Sequence, residues 1–244
     1  MHRPQIGISL TLDDRERWRE GRAYHYIDRS YADAVSDAGG IALQLPIQND
    51  PAALVDSLDG LLLPGGDDFP AEGSSPNGIS DEVRLDLVSP EQLAFDEALY
   101  EAASSRAIPI LGICYGMQLM ARMRNGVLDI HLPSQRPDVD CHKLPPDARH
   151  PIQIEPGSQL AGIIGCETCD VNSLHQQAVR RVGPKHRAVA ISRDGVIEAF
   201  EGSSANSNAW EIGVQWHPEK MFEISSRRLF HAFVEACRRP ENES

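Results

Sequence analysis

PILGICYGMQLM, Pro109 to Met120, sets one cysteine between two glycines where an apolar run gives way to a helical pattern. The run reads as a buried strand, and Gly116 to Met123 reads as the helix that follows. G-x-C-x-G at such a junction has the form of a nucleophile elbow, in which a strained turn lifts the side chain clear of the sheet. A thiol placed there sits at a helix N-terminus, where the dipole favours thiolate and the Tyr115 amide can face a developing oxyanion. The same spelling also suits a cysteine that merely packs where strand and helix approach closely, so the stretch alone leaves both readings open.

Working outward, short apolar blocks alternate with helical patterns. IGISL (6–10) and GIALQLPI (40–47) read as strands around a helix over 28–38, which Gly39 and Gly40 end where positive φ costs little. A second crossover over 51–58 leads to GLLLPGG (60–66), a strand that runs into a glycine turn. Ser89 and Pro90 read as N-cap and first residue of a helix reaching Ser105. This alternation predicts an α/β protein: a three-layer, open, mostly parallel sheet with helices on both faces. Residues 67–89, rich in Gly, Pro, Ser and Asp, read as a long loop of the kind that often closes over a site.

Beyond Asn125 the texture changes. Residues 124–149 show little regular pattern. Short alternating runs follow, with SRDG (192–195) as a hairpin turn, and these predict a small antiparallel portion. An amphipathic helix over 220–238 with Phe222, Leu229, Phe230 and Phe233 as its apolar stripe closes the chain. No internal repeat or linker divides the sequence, which reads as one domain, 1–244.

The sequence has 244 residues with 23 Lys and Arg against 36 Asp and Glu, a formal net charge of −13. Such a balance argues against nucleic acid and anionic membrane surfaces as partners, and favours small molecules, with a homodimer compatible. Five cysteines at irregular spacing, with no signal-like start and no membrane-length apolar run, predict a reduced, cytoplasmic protein. CETC (166–169) with Cys141 and His142 has metal-like spacing, but strand alternation would turn Cys166 and Cys169 to opposite faces, so no metal is expected. RRVGPKHR (180–187), the one basic cluster, reads as a solvated turn. WREGRAYHYI (18–27) reads as either a pocket mouth or a helix entry.

GVQWHPE (213–219) decides between the two readings of Cys114. His217 ends an apolar strand before Pro218, at the strand edge where ligands gather in open α/β sheets. Glu219, two residues on, can accept from the second ring nitrogen, fixing the tautomer and stabilising imidazolium. An α/β-hydrolase would instead carry its acid before the histidine in the chain.

With GICYGMQ and GVQWHPE together, the sequence resembles the class I glutamine amidotransferase superfamily over nearly its whole length. LLLPGGDDFP, VNSLHQQAV and SRDGVIEAFE make it most similar to the γ-glutamyl-γ-aminobutyrate hydrolase branch. The resemblance implies a flavodoxin-like core, no cofactor, and hydrolysis of a γ-glutamyl amide through a Cys114 thioester, as in polyamine breakdown. It implies that His217 and Glu219 complete the triad and that backbone amides of Tyr115 and of Gly65 or Gly66 hold the oxyanion. Gln118, Asn172, Ser173 and His175 are implied around the glutamyl head group. Tyr115 stands where this branch is expected to carry arginine, and FPAEG lacks an expected tyrosine, which leaves the amine half of the substrate open. A glutaminase subunit feeding ammonia to a synthetase and a non-catalytic binding module are the alternatives.

Overall fold

In a computed structural model, residues 2–71, 83–203 and 210–238 are described. In chain order the strands are β1 (Gln5–Ser9), β2 (Thr11–Asp13), β3 (Tyr24–Tyr26), β4 (Ile41–Leu45), β5 (Gly60–Leu63), β6 (Ile110–Ile113), β7 (Val127–Asp129), β8 (His150–Ile154), β9 (Thr168–Val171), β10 (Ala178–Arg181), β11 (His186–Ser192), β12 (Ile197–Gly202) and β13 (Glu211–Val214). The helices are α1 (Arg29–Asp37), α2 (Pro51–Asp56), α3 (Pro90–Ser105), α4 (Tyr115–Met123), α5 (Leu132–Gln135), α6 (Gln159–Ile164) and α7 (Ile224–Ala236).

Strands β4-β1-β5-β6-β13 pair in parallel and form the half of the sheet that the Ile, Leu and Val runs predict. The side chains of β1, β5, β6 and β13 are almost all buried on both faces, as parallel strands between helical layers must be, whereas β4 at the sheet edge is partly exposed. Ile6, Ile8 and Leu62 pack with α1, α6 and α7, whereas Leu61, Leu63 and Ile110 pack with α3 and α4. At β13 the sheet changes direction: β12 pairs with it antiparallel, and β11, β8 and β9 follow in the same sense. β10 and β7 join beside β12, so the antiparallel portion continues the main sheet.

Local signals set the helix limits. Asp28 caps α1 by accepting from the Ser30 amide at 3.0 Å, and Gly39 follows the helix at φ +92°. Ser89 accepts from the Gln92 amide at 3.1 Å, with Pro90 at the first helical position of α3. Such caps satisfy amides that have no intrahelical partner.

Four expectations change. Residues 124–149 contain β7 and α5, both too short to impose a period. Phe222 is 95% exposed and precedes α7, so it lies outside the apolar stripe that Leu229, Phe230 and Phe233 supply. WREGRAYHYI is not a helix entry: Tyr24–Tyr26 pairs with β2 in a two-stranded ribbon, and Trp18 packs edge-on against Tyr24 and Tyr26. Arg15 and Arg17 at its base pair with Asp67. Cys166 precedes β9, so strand alternation does not separate it from Cys169; burial and then the adjacent Cys166 push the Cys169 thiol up to about 12. Of the 67–89 loop expected to act as a lid, residues 72–82 lie outside the described residues. No helix among the described residues is long and apolar enough to cross a membrane.

Candidate active site

Cys114 joins β6 to α4 with φ 51° and ψ −104°, a conformation that side chains other than glycine rarely adopt. Three bonds hold it there. Its amide donates to Val214 O at 2.8 Å, its carbonyl accepts from the Gln118 amide at 3.0 Å, and the Gly116 amide donates to Pro64 O at 3.0 Å. A Cβ on Gly116 would stand 2.1 Å from Leu63 O, so the helix can sit against β5 only with glycine there. The flanking glycines of the motif are therefore a condition of the turn.

His217 follows the end of β13 and is nearly buried, as is Glu219. Asn172 clamps its backbone from both sides: Asn172 Oδ1 accepts from the His217 amide at 2.8 Å, and Asn172 Nδ2 donates to His217 O at 2.9 Å. His217 Nδ1 lies 2.7 Å from Glu219 Oε1, which leaves Nε2 as the nitrogen that serves the thiol. Burial opposes a charge on the ring, but Cys114 and then Glu219 outweigh it and push the His217 pKa up to about 10. The charged form of the ring is favoured by Cys114 on one side and Glu219 on the other.

The PGG turn after β5 faces this group. Gly65 has no room for a side chain, since a Cβ would meet His217 Cε1 at 2.6 Å. Its amide donates to the Tyr31 hydroxyl at 2.9 Å, and that hydroxyl also stands 3.5 Å from His217 Nδ1. Burial, and then the Glu219 carboxylate, hold the Tyr31 phenol well above its ordinary range, so it remains a donor. With the Gly65 amide engaged, the Gly66 and Tyr115 amides are the two of the three candidate donors without a hydrogen-bond partner among the described residues.

Tyr115 directs its side chain away from the thiol. The ring stacks on Phe69 at 4.7 Å and 8°, lies beneath Gly66, and donates its O–H to Asp96 Oδ2 at 3.0 Å. Gln118 donates to Gln177 O at 2.9 Å and to Gln215 Oε1 at 3.2 Å. Ser173 donates to His142 O at 2.8 Å and is buried away from the cleft. His175 lines the cleft but directs Nδ1 to Gln177 O at 3.0 Å. Of the four residues expected around a head group, Gln118 and His175 therefore border the cleft, while Asn172 supports His217.

The cleft in front of Cys114 has a volume of about 170 Å3 and is bordered by Gly66, Tyr115, Gln118 and His175, with Lys143 as its cation and Asp67, Asp68 and Asp86 as its acids. A larger groove of about 1300 Å3 runs along α1 and α7, touches Glu219 from behind, and contains neither Cys114 nor His217. The smaller cleft is the one that meets the thiol. Tyr31, Lys143 and Asp96 were not legible as site residues, because each reaches the site from an element with no motif of its own.

The family pattern described as Peptidase C26 matches residues 4–219. A γ-glutamyl-γ-aminobutyrate hydrolase of Escherichia coli O157:H7 is 34% identical over 252 residues, covering 97% of this chain and 94% of that protein. A provisionally assigned glutamine amidotransferase of Mycobacterium tuberculosis is 34% identical over 246 residues, covering 96% of this chain and 75% of that protein. A crystal structure from Thermoplasma acidophilum, of a protein provisionally assigned as one subunit of GMP synthase, superposes with a TM-score of 0.64 at 18% identity, covering 97% and 95% of the two chains. That similarity speaks to the fold.

Proposed function

Since the chain belongs to the Peptidase C26 family, we propose that it is a cysteine hydrolase that cleaves a γ-glutamyl amide through a thioester on Cys114. The observation that carries this reading is the thiol on a strained turn facing an imidazole that a buried carboxylate orients. Cys114 attacks the γ-carbonyl, and the Gly66 and Tyr115 amides receive the oxyanion, each such donor being worth about 3–4 kcal/mol. The His217 imidazolium protonates the departing amine. As a neutral base it then takes a proton from the water that hydrolyses the thioester, while Glu219 holds its Nδ1–H.

The charges around the cleft suit a zwitterionic γ-glutamyl head group, with Lys143 opposite its α-carboxylate and Asp68 and Asp86 near its α-ammonium. On this reading Lys143→Ala raises KM roughly tenfold or more with kcat little changed, the pattern of a lost ground-state contact.

We propose γ-glutamyl-γ-aminobutyrate or a related γ-glutamyl amine as substrate, consistent with the name of the Escherichia coli relative. The test is release of free glutamate from a panel of γ-glutamyl amides that differ only in the amine, glutamine among them. The reading expects turnover of γ-glutamyl-γ-aminobutyrate that Cys114→Ala abolishes. Turnover of glutamine alone would redirect the assignment to an ammonia-releasing glutaminase, and undiminished release by Cys114→Ala would refute the mechanism.

A further inference from the structure

About the middle of the antiparallel half, three histidines converge on one buried carboxylate. Glu198, on β12, is wholly buried, and neither of its oxygens makes a hydrogen bond of good geometry. Around Oε1 stand His142 Nδ1 at 3.3 Å, His150 Nε2 at 3.6 Å and His175 Nε2 at 3.8 Å. The donor atoms of His142, His150 and Glu198 all lie within 4.8 Å of one another. His150 Nε2 and His175 Nε2 are themselves buried without a hydrogen-bond partner. Glu198 Oε1, His150 Nε2 and His175 Nε2 are thus orphaned polar atoms gathered at one spot, which is costly, and native interiors rarely leave them so.

We propose that this cluster is a structural zinc site with His142, His150, His175 and Glu198 as its ligands. Ligands on a tetrahedral Zn2+ at about 2.0–2.1 Å stand about 3.4 Å apart; the ligand atoms of His142, His150 and Glu198, within 4.8 Å of one another, draw in onto such a cage, and His175 Nε2, 3.8 Å from Glu198 Oε1, moves farther to complete it. Three imidazoles and one carboxylate suit zinc better than calcium or magnesium, which take oxygen ligands.

The outer contacts already orient the rings for this. His142 Nε2 lies 3.0 Å from Asp194 Oδ2, the carboxylate–histidine arrangement that frees Nδ1 for a metal. The Ser173 hydroxyl, 3.2 Å from that Nδ1, donates instead to His142 O, so it does not occupy the Nδ1 lone pair. His175 donates Nδ1–H to Gln177 O at 3.0 Å, leaving Nε2 as acceptor. With four protein ligands the site has no open position, which makes its role structural. It fastens the segment before β8, the start of β8, β12 and the 172–177 loop, whose Asn172 clamps His217. The inference is independent of which amide the cleft accepts.

The test uses full-length protein in which Cys114, Cys141, Cys166 and Cys169 are changed to Ser, which leaves the buried Cys237 as the one remaining thiol and no pair of thiols to supply the binding. After chelator treatment it is titrated with Zn2+ and, in parallel, Co2+. The expected result is one equivalent per chain, a visible tetrahedral Co2+ spectrum without a thiolate charge-transfer band, displacement of Co2+ by Zn2+, and a higher Tm with metal. Glu198→Gln and His150→Gln should each weaken binding on the order of 100-fold, and Asp194→Asn about tenfold. Circular dichroism checks that each variant folds; should buried Glu198→Gln not fold, His150→Gln, nearer the surface, carries the comparison. Absence of stoichiometric uptake by the cysteine-substituted protein, or uptake that neither ligand substitution weakens, overturns the proposal.

Discussion

The backbones of Cys114 and His217 are each held in place by hydrogen bonds with residues from other parts of the fold. Positive φ at Cys114 is enforced by the Val214, Gln118 and Pro64 hydrogen bonds around it, and His217 by both ends of the Asn172 amide. The charge on the ring follows from its neighbours, so a nitrogen-15 NMR titration of His217 should give a pKa near 10, falling markedly toward the ordinary histidine range in Cys114→Ala. An unchanged value would mean that the thiolate does not act on the ring. Because the folded-state pKa lies above the unfolded one, this group's contribution to stability is complete below about pH 6.5 and is lost as pH rises through about 10. Tyr31 makes a second test at this scale. Tyr31→Phe leaves the Gly65 amide without its acceptor, and the account expects kcat/KM to fall roughly tenfold, with a stability loss of about 1–3 kcal/mol in urea titration.

Elements place these residues by close approach. The α4 helix can start one residue after Cys114 because Gly116 and Gly112 leave room for Leu63 O and Met120, and Gly116→Ala should cost about 1–3 kcal/mol or more through forced separation of α4 from β5. On the α3 side, Tyr115 and Gln92 both donate to Asp96 Oδ2, yet burial dominates and raises the Asp96 pKa to about 6. The folded state therefore keeps this proton longer than the unfolded chain does. The group's cost to stability accrues as pH rises from about 4 to about 6, is complete above that range and is absent below it. Asp96→Asn should accordingly stabilise the protein by about 1–3 kcal/mol at pH 8 and lose that advantage at pH 4, as urea titrations at the two values would show.

Much at this scale was legible because the signals are local. The elbow glycines, the Ser89–Pro90 cap and the His-Pro strand end each spell their own geometry within a few residues. Tyr31, Asp96 and the Glu198 cluster do not, since their partners lie far along the chain and only the folded sheet brings them together. Tyr115 shows the limit from the other side. Its place in the motif was plain, but whether its ring faced the substrate or Phe69 depended on α3 packing, which no spacing encodes.

At the scale of the whole molecule, the thiol and the imidazole are brought together by β6 and β13, adjacent and parallel at the point where the sheet changes direction. Those strands lie between helical layers on both faces, whereas β9 and the β2–β3 ribbon lie at edges. Hydrogen exchange should be slowest in β6 and β13 and fastest in β9 and β3; fast exchange at β6 would contradict a site built on the most stable part of the sheet. The sequence could anticipate the parallel half from its apolar runs. It could not show that the antiparallel half continues the same sheet, because pairing across β13 leaves no periodic mark.

The central claim is that Cys114 becomes acylated. Rapid quenching after mixing with γ-glutamyl-γ-aminobutyrate, followed by peptide mass spectrometry, tests it most directly. The account predicts a γ-glutamyl increment on the peptide that carries Cys114, absent from Cys114→Ser. Glutamate release with no increment on that peptide, or with the increment on another residue, would contradict it.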